Sequence, residues 1–132
     1  MKILIRVAQL LTVVFFFTSP IVAGNIIKNR PTYDAVYRTA RVADAYHFLL
    51  LTKNGTYYYL HTNKTNSLTA KELRSSNILS ILDKKQSWGQ AFPSKGKFIQ
   101  KNGKFYTQRY WDSIKVISPK TIKYLNKTFY LQ

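Results

Sequence analysis

Residues 46–61 read Tyr46-His47-Phe48-Leu49-Leu50-Leu51-Thr52-Lys53-Asn54-Gly55-Thr56-Tyr57-Tyr58-Tyr59-Leu60-His61. Aromatic and aliphatic runs flank an Asn-Gly pair, which tolerates the positive φ that a type I′ turn needs at both central positions. The stretch therefore predicts an antiparallel hairpin. Taken as a two-residue turn, it pairs Lys53 with Thr56, Leu51 with Tyr58 and Leu49 with Leu60. Side chains alternate along each strand, so Phe48, Leu50, Tyr57 and Tyr59 share one face and Leu49, Leu51, Tyr58 and Leu60 the other. Both faces are apolar. One belongs in a core, with Phe48, Leu50, Tyr57 and Tyr59 as the candidate lining of an apolar pocket; the other needs a cover. The same register sends His47 and His61 to opposite faces.

Further along the chain the hairpin device recurs. Lys97-Phe98-Ile99-Gln100 and Phe105-Tyr106-Thr107 flank Asn102-Gly103, and Ser118-Pro119-Lys120-Thr121 separates Ile114–Ile117 from Ile122–Leu125. A turn at Asn126-Lys127 leads into Thr128–Leu131, and an earlier strand falls near Tyr33–Val42. About eight short strands with closely spaced turns are the pattern of a sandwich or barrel. The fold class is thus mainly β, a single small antiparallel β-barrel or sandwich with one short helix at about residues 69–84. That helix starts at Thr69-Ala70-Lys71-Glu72, a capping box, and offers Leu73, Ile78, Ile81 and Leu82 to a core. Ser75-Ser76-Asn77 is poor helix sequence and marks a break near Ser76. Gln86–Gly96, with Trp88, Gly89, Pro93 and Gly96, reads as a loop.

At 132 residues the chain has room for one domain, and its 45% hydrophobic and 15% aromatic content argues against disorder. Residues 1–23 have the order of a secretory signal peptide: Lys2 and Arg6, then the apolar Val7–Phe17, then Ser19-Pro20 and a small residue, Ala23, before Gly24. A membrane span needs about 20 apolar residues, more than lie between Gln9 and Pro20. Cleavage near Ala23 leaves a single β-rich domain, residues 24–132, secreted or periplasmic and without a transmembrane span.

Chemistry is constrained mostly by exclusion. The chain has no Cys, which removes thiol nucleophiles, disulfides and Cys-ligated metals. Gly-rich phosphate loops, nucleophile elbows and metal-ligand motifs are missing, and no metal, cofactor or catalytic residue is assigned. Charge is the stronger clue, because 21 Lys and Arg stand against 5 Asp and Glu. Pairing across Asn102-Gly103 sets Lys101 opposite Lys104, Ile99 opposite Tyr106 and Lys97 opposite Gln108. Lys97, Lys101, Lys104 and Tyr106 then share a face suited to a polyanion; the competing reading is a solvated face whose lysines guard a sheet edge.

The Phe48–Tyr58 hairpin resembles the opening element of small secreted lipocalin-like, calycin-type β-barrels of bacterial envelopes. Gly96-Lys97-Phe98 to Asn102-Gly103-Lys104-Phe105 is similar to their later Asn-Gly hairpin, and the resemblance covers about residues 46–131. It implies a non-catalytic binding protein. The functional expectation is a basic barrel contacting an anionic lipid or polysaccharide of the envelope, or a small apolar ligand, with nucleic acid the less favoured partner. The alternative is a secreted basic hydrolase such as a ribonuclease, with His47 and His61 as acid and base.

Overall fold

Eight antiparallel strands follow one another around a closed barrel in the computed structural model, which describes residues 30–132. They are β1 (Val36–Thr39), β2 (Tyr46–Leu51), β3 (Thr56–Thr62), β4 (Ala91–Lys101), β5 (Lys104–Thr107), β6 (Ser113–Ser118), β7 (Thr121–Tyr124) and β8 (Lys127–Leu131). Each pairs with the next, and β8 closes on β1 through Tyr37↔Leu131 and Thr39↔Phe129. The signal peptide expected at residues 1–23 lies outside the described residues.

The interior is filled by alternate residues of every strand. Tyr37, Leu49, Leu51, Tyr57, Phe98, Phe105, Ile114, Ile122, Tyr124 and Phe129 form one buried cluster. The outer face of β1–β3 forms a second, with Val36, Phe48, Leu50 and Leu60 packed against Leu68, Leu73, Ile78 and Leu82. The covering segment is divided at the break expected near Ser76 into two helices, α1 (Ala70–Leu73) and α2 (Ile78–Lys85). In the capping box, Glu72 N donates to Thr69 Oγ1 and Thr69 N donates to Glu72 Oε1. Helix α1 stops at Arg74, and Ser75–Asn77 separates it from α2.

Two expectations about the strands need correction. Ala91–Gly96, expected in a loop, is the first half of β4 and pairs with β3. Pairing of β4 with β5 begins only at Phe98, so the segment carrying Pro93 is bonded on one side, where a missing N–H is tolerated. The first hairpin also has a three-residue loop. Thr52 pairs with Thr56 through Thr52 N donating to Thr56 O, and Gly55 N donates back to Thr52 O. Gly55 alone in this loop takes positive φ, at +88°, as expected for a type I turn closed by a residue in the left-handed region. The Thr52 hydroxyl stabilises that choice, donating to Asn54 Oδ1 and accepting from Thr56 N.

The register is therefore one residue from the expected one: Leu51↔Tyr57, Leu49↔Tyr59, Phe48↔Leu60 and His47↔His61. Phe48 and Leu50 do not share a face with Tyr57 and Tyr59. The first pair packs under the helices, and the tyrosines join Leu49 and Leu51 inside the barrel. By contrast, Asn102 and Gly103 both take positive φ, and the second hairpin has the predicted register with Lys101 opposite Lys104.

The register can be tested by cross-linking, since the chain has no native Cys. Directly opposed cross-strand residues have Cβ atoms about 4.5–5.5 Å apart, close to disulfide geometry. The double variant His47→Cys/His61→Cys should lose both free thiols on mild oxidation of the folded protein. Thiols that stay free would restore the two-residue turn.

Candidate functional site

Two places gather chemically capable side chains. The first is the mouth of the barrel where β2 begins and β3 ends. The one-residue register shift puts His47 and His61 on the same face, correcting the expectation of opposite faces. Their rings stack with centroids 4.3 Å apart and planes 10° from parallel. Tyr59 Oη lies 2.5 Å from His47 Nδ1, Tyr124 meets Tyr59 edge-on at 5.7 Å, and Phe92 packs beside His61.

His47 is only 6% exposed. Burial first, then the neighbouring His61 and Lys127, bring its imidazole down to about 4. Burial pushes the Tyr59 phenol up to about 12, so its hydroxyl keeps its proton and shares a hydrogen bond with Nδ1 of the neutral imidazole. Burial also raises Tyr124, reinforced by Tyr57, Asp112 and Tyr59. The arrangement caps the aromatic interior with polar rings, and no buried side-chain polar atom among the described residues lacks a hydrogen-bond partner. Among the described residues no group of three or more His, Cys, Asp or Glu is placed to hold a metal ion.

The second place is the outer face of β4–β7. Lys97, Lys101, Lys104 and Tyr106 all lie on it, because Phe98 and Phe105 point inward and side chains alternate. Lys97 Nζ donates to Thr56 Oγ1 at 3.4 Å, towards β3. Lys101 and Lys104 belong to a longer array. The β5–β6 register, Phe105↔Ile114 and Tyr106↔Ser113, brings Lys104 abreast of Lys115, and Lys115 stands directly opposite Lys123 on β7. Lys101, Lys104, Lys115 and Lys123 thus form one exposed row across four adjacent strands, spanning about 14 Å at the usual strand spacing.

The charge around this row is uncompensated by ion pairs. Asp34, Asp44, Glu72 and Asp83 pair with Arg74, Arg41, Lys85 and Lys64, all outside β4–β8. From Ala91 to Gln132 there are nine basic residues and one acid, Asp112. Two recesses flank the row. One of about 280 Å³ is lined by Lys101, Asn102, Lys104, Tyr106 and Trp111. The other, about 540 Å³, includes Asp112, Lys115, Lys123 and Tyr124.

Sequence reasoning reached Lys101, Lys104 and Tyr106 because Asn102-Gly103 fixes their register. It missed Lys115, Lys123 and Trp111. The alternation in Ile114-Lys115-Val116 and Ile122-Lys123-Tyr124 signals that both lysines face outward, but their alignment depends on a bulge between Val116 and Ser118. No protein-family model, curated protein or solved structure matches the chain.

The mouth makes a pH prediction. The folded chain holds His47 neutral down to about 4, whereas the unfolded chain binds that proton near 6.5. The unfolded state therefore carries more protons between these values, and stability falls as pH drops through the window. The melting temperature should decline from pH 6.5 towards 4 in the wild type and more shallowly in His47→Gln. Equal slopes in the two proteins would mean that His47 is not held neutral by the fold.

Proposed function

We propose that the protein is an exported, non-catalytic binding protein, a basic lipocalin-like barrel that holds an acidic polysaccharide of the cell envelope along the outer face of β4–β7. The observation that carries this reading is the row Lys101, Lys104, Lys115 and Lys123, with like charges side by side on four strands. Like charges directly opposite one another destabilise a sheet by some tenths of a kcal/mol per pair, and a bound polyanion reverses the sign of that term. A barrel's outer wall is convex, so it meets a planar membrane along a narrow line, whereas a linear polymer can follow the row. Export is supported by the charged, apolar and small-residue order of residues 1–24. The lipocalin-like assignment draws on the up-and-down order of eight strands. With the interior occupied by the barrel's own side chains, the proposal places the ligand outside.

The hydrolase alternative draws on the shared face of His47 and His61. Parallel rings 4.3 Å apart leave no room for a phosphate between them, and Tyr59 engages one nitrogen of His47.

Heparin serves as the probe, a soluble acidic polysaccharide whose binding can be followed against salt. The triple variant Lys104→Gln/Lys115→Gln/Lys123→Gln should weaken binding at low salt at least about tenfold and flatten its salt dependence, with the melting temperature unchanged or slightly raised. Lys53→Gln/Lys71→Gln/Lys84→Gln removes the same charge from other exposed sites and should have a much smaller effect. Equal losses in the two triples would reduce the surface to bulk charge and overturn the proposal.

A further inference from the structure

One end of the lysine row opens into the recess of about 280 Å³ between Lys101, Asn102, Lys104, Tyr106 and Trp111. The Tyr106 and Trp111 rings stand 6.3 Å apart with planes 59° from parallel, forming a corner. Trp111 is 57% exposed, and its backbone is in the left-handed region, with φ at +57°. A bulky residue adopts that conformation at a cost, and little burial of the ring is gained in return. The conformation is imposed by the loop. Thr107, itself fully buried, accepts from Trp111 N at its carbonyl and from Asp112 N at its hydroxyl, while Thr107 N donates to Asp112 O. These three bonds clamp the turn and hold the indole out beside two lysines.

We propose that this recess is a subsite for one acidic pyranose ring of the bound polysaccharide. The inference rests on the polysaccharide-binding reading above and specifies where a sugar unit is gripped. The axial C–H groups of a pyranose pack on an aromatic face, and a chair is thick enough to touch both walls of a corner. A flat nucleobase covers one wall only, and single-stranded nucleic-acid sites use rings as successive platforms for successive bases. Here two rings converge on one recess. Its volume falls just below the range of about 300–1,000 Å³ usual for drug-sized ligands, which suits one ring rather than several. Lys101 and Lys104 supply ammonium donors to a sulfate or carboxylate on the sugar, and the Asn102 amide supplies a donor and an acceptor for its hydroxyls.

The chain has two Trp, so Trp88→Phe leaves Trp111 as the sole indole reporter. In that background a sulfated disaccharide should change the indole emission saturably. The change should disappear in Lys101→Gln/Lys104→Gln, and an uncharged disaccharide should produce none. Trp111→Asn removes the ring while suiting the left-handed backbone, and an unchanged melting temperature checks that the fold is kept. It should weaken heparin binding about tenfold, the scale of one aromatic stacking contact, with the salt dependence kept. If Trp111→Asn binds heparin as the wild type does while the lysine triple weakens it, the subsite is wrong and the basic surface stands. If polyuridylate changes the Trp111 emission and the disaccharide does not, the corner takes a base and the sugar assignment is overturned. If heparin binding responds to neither set of variants, the basic wall is not a polysaccharide site and the subsite fails with it.

Discussion

Burial of the β2–β3 hairpin on both faces is the constraint from which the rest of the architecture follows. A strand pair with one apolar face is satisfied by a sandwich or an open sheet. Here Leu49, Leu51 and Tyr57 need an interior, while Phe48, Leu50 and Leu60 on the reverse side need a second cover. Closing the barrel through β8 and β1 meets the first need. The excursion between β3 and β4 meets the second, by laying Leu68, Leu73, Ile78 and Leu82 over the outer wall. At about 25 cal/mol per Å² of apolar surface removed from water, this cover is a second core rather than an ornament. It also decides which part of the outer wall stays bare.

That division sorts the charges. Of the four ion pairs among the described residues, three tie down the helical cover: Glu72 joins α1 to α2 through Lys85, Asp83 meets Lys64 just after β3, and Asp34 reaches Arg74 at the end of α1. Exposed pairs of this kind contribute little to stability individually. Lys64 differs because it is buried, and its ammonium donates to Asp83 and to the carbonyls of Gln86 and Ser87. With four of the five acids engaged there or in the β1–β2 loop, the wall of β4–β7 has only Asp112 among its cations. The cationic face is thus the complement of the covered one, and its concentration of charge exceeds what the net charge of the whole chain conveys.

The strand count, the capping box and the second hairpin were legible because each rests on local chemistry. At Asn102-Gly103 both residues take positive φ, as a two-residue type I′ turn requires, and the pairing of Lys101 with Lys104 follows. At Asn54-Gly55 the same dipeptide sits beside Thr52, whose hydroxyl engages Asn54 and Thr56 and leaves only Gly55 left-handed. Hydrophobic patterning usually corrects such a slip, because a shift of one residue sends apolar side chains to solvent. Here it could not, since both faces of the hairpin are apolar in either register. The histidine stack was lost to the reading by that same degeneracy. Ala91–Gly96 was hidden by Pro93 and Gly96, whose loop-like character is overridden by pairing to β3. Gly96 belongs there for a packing reason, since a Cβ on it would meet the Tyr57 ring at 3.0 Å.

The lysine row illustrates how an interior demand writes an exterior surface. The turn at Pro119-Lys120 sets Ser118 opposite Thr121. Continued without interruption, that register would place Lys115 beside Tyr124 and turn Ile122 and Tyr124 outward on β7. Both residues are buried, Ile122 completely, so the ladder must slip by one. The slip is the bulge between Val116 and Ser118, which leaves Ile117 unpaired and half-exposed. Beyond it Val116 meets Ile122, Ile114 meets Tyr124, and Lys115 lies against Lys123 between them. Core packing alone accounts for the bulge, but the alignment it produces also needs lysine at both outward positions. The interior dictates the register, and the choice of residue on the free face remains open to selection for a ligand.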